Sequence, residues 1–89
     1  MGRGDSVELP VYRTRKDQWG NIIALGGEFG VVSHPDAIMS IERATDLYYV
    51  PLTGGARSVV QVARGPLGPY LRANWDGRGS NNLVDLPDC

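Results

Sequence analysis

Few side chains in this sequence are of the kinds that make and break bonds, and their spacing decides what chemistry they can share. His34 is the single histidine and Cys89, the last residue, the single cysteine. A thiolate–imidazole pair needs the two in contact, and nothing local brings them together. Nor can they hold a tetrahedral zinc ion without two carboxylates beside them. Asp76, Asp85 and Asp88 cluster near the C-terminus, and carboxylates buried together with split proton affinities perform acid–base catalysis. These three sit among Gly, Ser and Asn, the company of turn residues, so turn and capping roles are expected. Asp36 is too close to His34 in sequence to be persuasive as its partner. An enzyme would require a pocket in which His34 meets a C-terminal aspartate. The run Gly26-Gly27-Glu28-Phe29-Gly30 lacks dinucleotide-fingerprint spacing and the Lys-Ser/Thr of a phosphate loop, and Glu28 would repel phosphate. The expectation is therefore no catalytic residue, no metal ligand and no cofactor.

The arginines are more suggestive. Eight of the nine basic residues are arginine. Arg13, Arg15, Arg57, Arg64 and Arg72 all fall on predicted strands. With a strand period of two, Arg13 and Arg15 share one face, as do Arg57, Val59, Gln61 and Ala63 on theirs. If those faces coincide near Trp19, Trp75 or a tyrosine, guanidinium and aromatic groups form a surface able to stack bases or grip phosphates. The competing expectation is an exposed sheet face whose arginines pair with Glu8, Glu28 and Asp46. Trp19 and Trp75 both stand in predicted loops, and in a chain this short inward packing is expected of them.

The elements that must position these groups follow from apolar periodicity and turn residues. Residues 1–10 are read as a flexible tail and 11–89 as a single α+β domain. Val11 to Lys16 and Asn21 to Leu25 predict an antiparallel strand pair, with Glu28 to Val32 continuing the second strand beyond Gly26-Gly27. Ser33-His34-Pro35-Asp36 predicts a helix start, with Ser33 as cap, and the helix runs to Thr45 or Asp46. Ala37, Ile38, Ile41 and Ala44, with His34 before them, form its apolar side. Leu47 to Leu52 and Arg57 to Arg64 predict strands joined by a Gly54-Gly55 hairpin, and Pro51 argues that the first lies at an edge or is bulged. Tyr70 to Ala73 is a fifth short strand, and Leu83 to Pro87 a final turn that lays Leu83 and Leu86 on the core. The order is β-β-α-β-β-β, with a mostly antiparallel sheet.

Composition bounds the function from outside. The 89 residues are 42% hydrophobic and 21% charged with net charge -1, ordinary values for a soluble globular protein. Near-neutrality argues against binding driven by charge alone to nucleic acid or to a membrane. The chain has no apolar run long enough for a signal peptide or a membrane span, so a cytoplasmic location is expected, with Cys89 as a free thiol. Gly2 makes only a weak myristoylation match, and Arg3-Gly4-Asp5-Ser6, an integrin-recognition tetrapeptide, reads as coincidence in a chain without an export signal.

Tyr70-Leu71-Arg72-Ala73, followed after a loop by Asn81-Asn82-Leu83-Val84-Asp85-Leu86-Pro87-Asp88-Cys89, carries a family resemblance. It is similar to the pattern Tyr-Leu-(Lys/Arg)-(Thr/Ala), loop, Asn-Leu-x-x-Leu-Pro-x-Cys of a family of small, mainly bacterial proteins classed as a domain of unknown function. The helix with Ala37-Ile38 and Ile41, then Tyr48-Tyr49-Val50, a glycine turn and Val59 to Val62, resembles the same family, so the likeness spans roughly residues 20 to 89. The family more often has threonine where this chain has Ala73. The resemblance implies a compact stand-alone α+β domain and brings no reaction with it. The function expected is a small non-catalytic binding or interaction module, forming a homodimer or taking a protein partner. The alternative is nucleic-acid binding through an arginine-bearing sheet face.

Overall fold

The computed structural model describes residues 7–77 and 81–89. Gly2 and the Arg3-Gly4-Asp5-Ser6 tetrapeptide lie outside the described residues. The strands are β1 (Val7–Pro10), β2 (Arg13–Lys16), β3 (Ile22–Gly27), β4 (Gly30–Ser33), β5 (Asp46–Pro51), β6 (Arg57–Val59), β7 (Gln61–Gly65) and β8 (Gly68–Arg72). One helix, α1 (His34–Glu42), lies between β4 and β5, and 3-10 turns occupy Thr53–Gly55 and Asn82–Asp85. This is an α+β arrangement, with more and shorter strands than the five expected.

Among the described residues three sheets form, in the orders β1-β5-β6, β2-β3-β4 and β7-β8; of their strand pairs only β1 with β5 is parallel. Two kinks join them. The Val11 N–H donates to the Tyr49 carbonyl and the Tyr12 N–H to that of Gly26, so one extended run serves β5 first and β3 next. Val60, whose N–H donates to the Tyr48 carbonyl, likewise divides the strand expected over residues 57–64 into β6 against β5 and β7 against β8. Both kink side chains are almost fully buried, Val11 at 0% and Val60 at 1% exposure, because a bend buries whatever sits on its inside.

Several expectations need correction. Val7–Pro10 is strand, not tail, held by the Val7 N–H on the Thr45 carbonyl. Gly26-Gly27 does not let β3 continue: the chain reverses through Glu28-Phe29, with Gly30 at φ +99, into antiparallel β4. Gly27 is required where β3 passes the β1–β2 bend, since a Cβ there would run into the Pro10 carbonyl oxygen. Ser33 is the N-cap residue of α1, but its side chain makes no capping bond, and the helix stops at Glu42. β5 is the central strand of its sheet. Pro51 is tolerated because β1 ends opposite Tyr49, so the missing N–H meets no neighbour. Gly54 and Gly55 have the positive φ expected, in a 3-10 turn instead of a two-residue hairpin.

One core cluster gathers Val11, Ile22, Leu25, Ile38, Tyr48 and Val50 with Val60, Leu71 and Leu83. Ala37 and Ile38 are the buried side of α1, with Ile41 packed beside them. Phe29 meets Tyr48 edge-on, ring centroids 5.4 Å apart. Each fully buried leucine is worth roughly 2–3 kcal/mol over exposure. Leu25, Leu71 and Leu83, all at 0% exposure, thus tie the central sheet, the last strand and the C-terminal turn into one body.

Candidate functional sites: an apolar groove and an arginine groove

The C-terminal corner explains where the hairpin beside it can go. Asn82 is 2% exposed yet fully engaged. Its Oδ1 accepts from the Trp75 and Asp76 N–H groups at 2.8 and 3.4 Å, and its Nδ2 donates to the Asp76 and Asp85 carboxylates at 2.9 and 3.1 Å. Asn81 accepts from the Ala73 and Leu83 N–H groups and donates to the Leu71 carbonyl at 2.9 Å. The buried Thr14 hydroxyl donates to the Leu83 carbonyl at 2.9 Å, and Lys16 reaches the Leu86 carbonyl and Asp88. Cys89 packs its Sγ where a side chain on Gly26 would stand. Asp76, Asp85 and Asp88 are thus structural acceptors, and none faces His34 in these contacts.

His34 has a structural task as well: its Nε2 lies 3.1 Å from the Pro69 carbonyl. With the Asn81 bond to Leu71, this occupies the outer edge of β8. Arg64 pairs with Glu42 at 2.7 Å, tying β7 to α1. The β7–β8 hairpin is therefore held on both strands. It turns through Pro66-Leu67 with Gly68 at φ +109, and Tyr70 packs over Gly65.

Beneath this hairpin lies a groove of about 740 Å³, walled by β3, the β2–β3 turn, the start of α1 and the C-terminal turn. Its lining carries four large apolar side chains left in solvent: Leu67 at 97% exposure, Val84 at 41%, Ile23 at 40% and Tyr70 at 38%. At one end the β2–β3 turn closes on Asp17, whose Oδ1 accepts from the Trp19 and Asn21 N–H groups at 2.9 Å. The Asn21 N–H bond above all, opposed by burial and supported by the Asn21 side chain and the Trp19 N–H, holds the Asp17 carboxyl below its usual value. Because the turn is sealed by its own aspartate, Trp19 points outward at 76% exposure. That overturns the inward packing expected of Trp19, whereas Trp75 is half-buried against the core.

A second groove, about 400 Å³, is polar and lies where β6 and β8 diverge; Arg57, Ser58, Val59, Gln61, Arg72 and Asn74 line it. Arg57 stacks over the Tyr49 ring at 4.8 Å and pairs with Glu8 at 2.7 Å. That hydrogen bond, reinforced by charge, lowers the Glu8 carboxyl and raises the Arg57 guanidinium.

The proposed arginine surface is thus divided. Arg57 and Arg72 share one groove, with Val59 and Gln61 on the same face as the strand period requires. Arg64 lines the other groove. Arg13 and Arg15 are exposed on the outward face of β2, across from buried Thr14, and line neither. Sequence reasoning missed Leu67, Tyr70, Ile23 and Val84; the available signal was a leucine between Pro66 and Gly68, in a turn with no polar residue.

The profile of a family described as protein of unknown function (DUF3892) matches residues 10–87. The chain belongs to this family. The match covers the residues lining both grooves and those of the Asn82 corner, where Asn81 and Asn82 hold the chain that follows the last strand. Neither the curated proteins nor the solved structures contain a match to the chain.

Proposed function

We propose that this DUF3892 protein is a non-catalytic interaction module whose apolar groove is covered by a second copy of the chain. One observation carries the reading: Leu67, 97% exposed, stands on a hairpin clamped at His34, Asn81 and Arg64, directly beside a groove lined by Ile23, Tyr70 and Val84. A surface with both a projecting leucine and an apolar hollow is self-complementary, as a two-fold interface must be, since each copy presents the same patch. Holding the hairpin rigid before association lowers the entropy cost of docking it. A net charge of -1 sets little repulsion between copies.

A non-catalytic role is supported by what the candidate groups already do. His34 binds a backbone carbonyl, Asp76 and Asp85 bind Asn82, and Asp17 closes its own turn. Nucleic-acid binding is the weaker reading, because Arg57 and Arg64 are neutralised by Glu8 and Glu42 and the arginines fall on separate surfaces. A cytoplasmic location belongs to the same proposal, supported by the lone free cysteine. No helix among the described residues is long and apolar enough to cross a membrane.

Light scattering across a concentration series tests the proposal. A mass approaching twice that of the chain is expected at micromolar to high-micromolar protein, returning to the single-chain mass in Leu67→Asp. A single-chain mass for the wild type throughout that range overturns it.

A further inference from the structure

The Asn82 corner contains one pair of residues able to react with each other. Asp76-Gly77 is the single Asp-Gly step in the chain, and Asn-Gly does not occur. An aspartate followed by glycine can be attacked by its own backbone. The Gly77 nitrogen bonds to Asp76 Cγ and loses its proton, a Cγ–O bond breaks, and water leaves behind a five-membered succinimide. Water then adds to the main-chain carbonyl carbon of Asp76 and breaks its bond to the Gly77 nitrogen. The chain now runs through Cβ and Cγ as isoaspartate, at unchanged mass and with water as the only co-reactant. Glycine favours the reaction because it places no Cβ beside the attacking nitrogen.

Both residues are exposed, and Gly77 stands at φ +74 outside any strand, so neither burial nor a sheet ladder shields the pair. Two asparagines do. The Gly77 N–H donates to Asn74 Oδ1 at 3.0 Å, which engages the proton that attack must release. The Asp76 carboxylate accepts from Asn82 Nδ2 at 2.9 Å, and ring closure consumes that carboxylate. Asn82 Oδ1 also accepts from the Trp75 and Asp76 N–H groups, so the main chain entering the pair is held as well. A group held in this way reacts in proportion to the time its bonds stand open.

We propose that Asp76-Gly77 is a latent self-modification site, held unreactive by Asn74 and Asn82 while the corner is closed and rearranging to isoaspartate when it opens. The product cannot rebuild the same corner. Isoaspartate moves the charge from the side chain to the former main-chain carboxyl and lengthens the backbone by one carbon, so Asn82 Nδ2 loses its acceptor where it stands. Opening is thereby recorded covalently, and each chain that reacts has its last strand less firmly tied. The site does not depend on the apolar groove or on a second copy.

The test is incubation of the full chain at neutral pH and constant temperature, with isoaspartate at residue 76 quantified by peptide mapping and electron-transfer fragmentation, which separates isomers of equal mass. The folded chain is expected to isomerise at least about tenfold more slowly than the same chain unfolded in urea. Asn74→Ala leaves the Asn82 bonds in place and should speed the folded chain by roughly threefold to tenfold. The isoaspartate chain, separated from its parent by chromatography, should melt at a lower temperature. Equal rates in the folded and unfolded chains, or an unchanged rate in Asn74→Ala, would overturn the protection. An isoaspartate chain that melts with its parent would overturn the loosening of the corner.

Discussion

The Asn82 corner and the Leu67 hairpin tip lie side by side and treat their side chains in opposite ways. At the corner a polar residue is buried and every one of its hydrogen-bonding atoms is used. At the tip an apolar residue is left almost wholly in solvent on a hairpin bonded to the rest of the fold from both strands. Asparagines and aspartates, which look like the reactive part of the sequence, are consumed by folding. The apolar residues that folding leaves over stand at the tip, where the proposed second copy would dock.

The comparison can be broken most forcibly at the corner. Asn82→Leu should remove the hydrogen bonds that Asn82 makes with the Trp75 N–H and with the Asp76 and Asp85 carboxylates, costing roughly 3 kcal/mol. For a chain of this size that is a fall of about 15 °C in Tm, measurable by calorimetry. A loss below about 1 kcal/mol would mean that the corner is not the clamp described. Thr14→Val removes one buried bond, to the Leu83 carbonyl, and should cost about 1–2 kcal/mol in a urea titration. Leu67→Asp should change stability by no more than about 0.5 kcal/mol, since the side chain makes little use of the fold, while abolishing association. A large loss of stability there would erase the contrast between tip and corner.

Smaller effects come from pH, away from both regions. Arg57 holds the Glu8 carboxyl below its unfolded value, so its contribution is present above that value and is lost as pH falls through the folded one. The tie between β1 and β6 should therefore weaken on acidification below about pH 4. Tyr48 behaves oppositely. Burial first, then the Asp46 charge, pushes its phenol up, with the Ser40 hydrogen bond opposing. Its contribution is complete below the unfolded value and is lost as pH rises above about 10. Tyr48→Phe should flatten that alkaline limb in a stability–pH profile, and Glu8→Gln the acid one; an unaltered profile in either case would remove the corresponding assignment.

Alternation and turn residues made β2, β3, β5 and β8 legible, and Ser33-His34-Pro35 marked the start of α1 to the residue. What remained hidden depended on distant partners. Val7–Pro10 becomes a strand only because β5 runs beside it, and residues 57–64 divide at Val60 only because their two halves face different strands. The strand period puts Arg57 with Val59 and Gln61 on one face, and all three line the polar groove, which Arg72 enters from β8. Arg13 and Arg15 share the exposed face of β2 as that period requires, but one period cannot say how separate strands are turned toward one another, and Arg64 lines the other groove. Trp19 was misjudged because the Asp17 turn satisfies itself locally and leaves the ring no route inward.

The most direct test of the central claim is an isotope-filtered NOE experiment on protein mixed from labelled and unlabelled copies. The account predicts contacts from the Leu67 methyls to Ile23, Tyr70 or Val84 of the other copy. Their absence under conditions where the chain is associated would contradict it, as would a set of intermolecular contacts that leaves Leu67 in solvent.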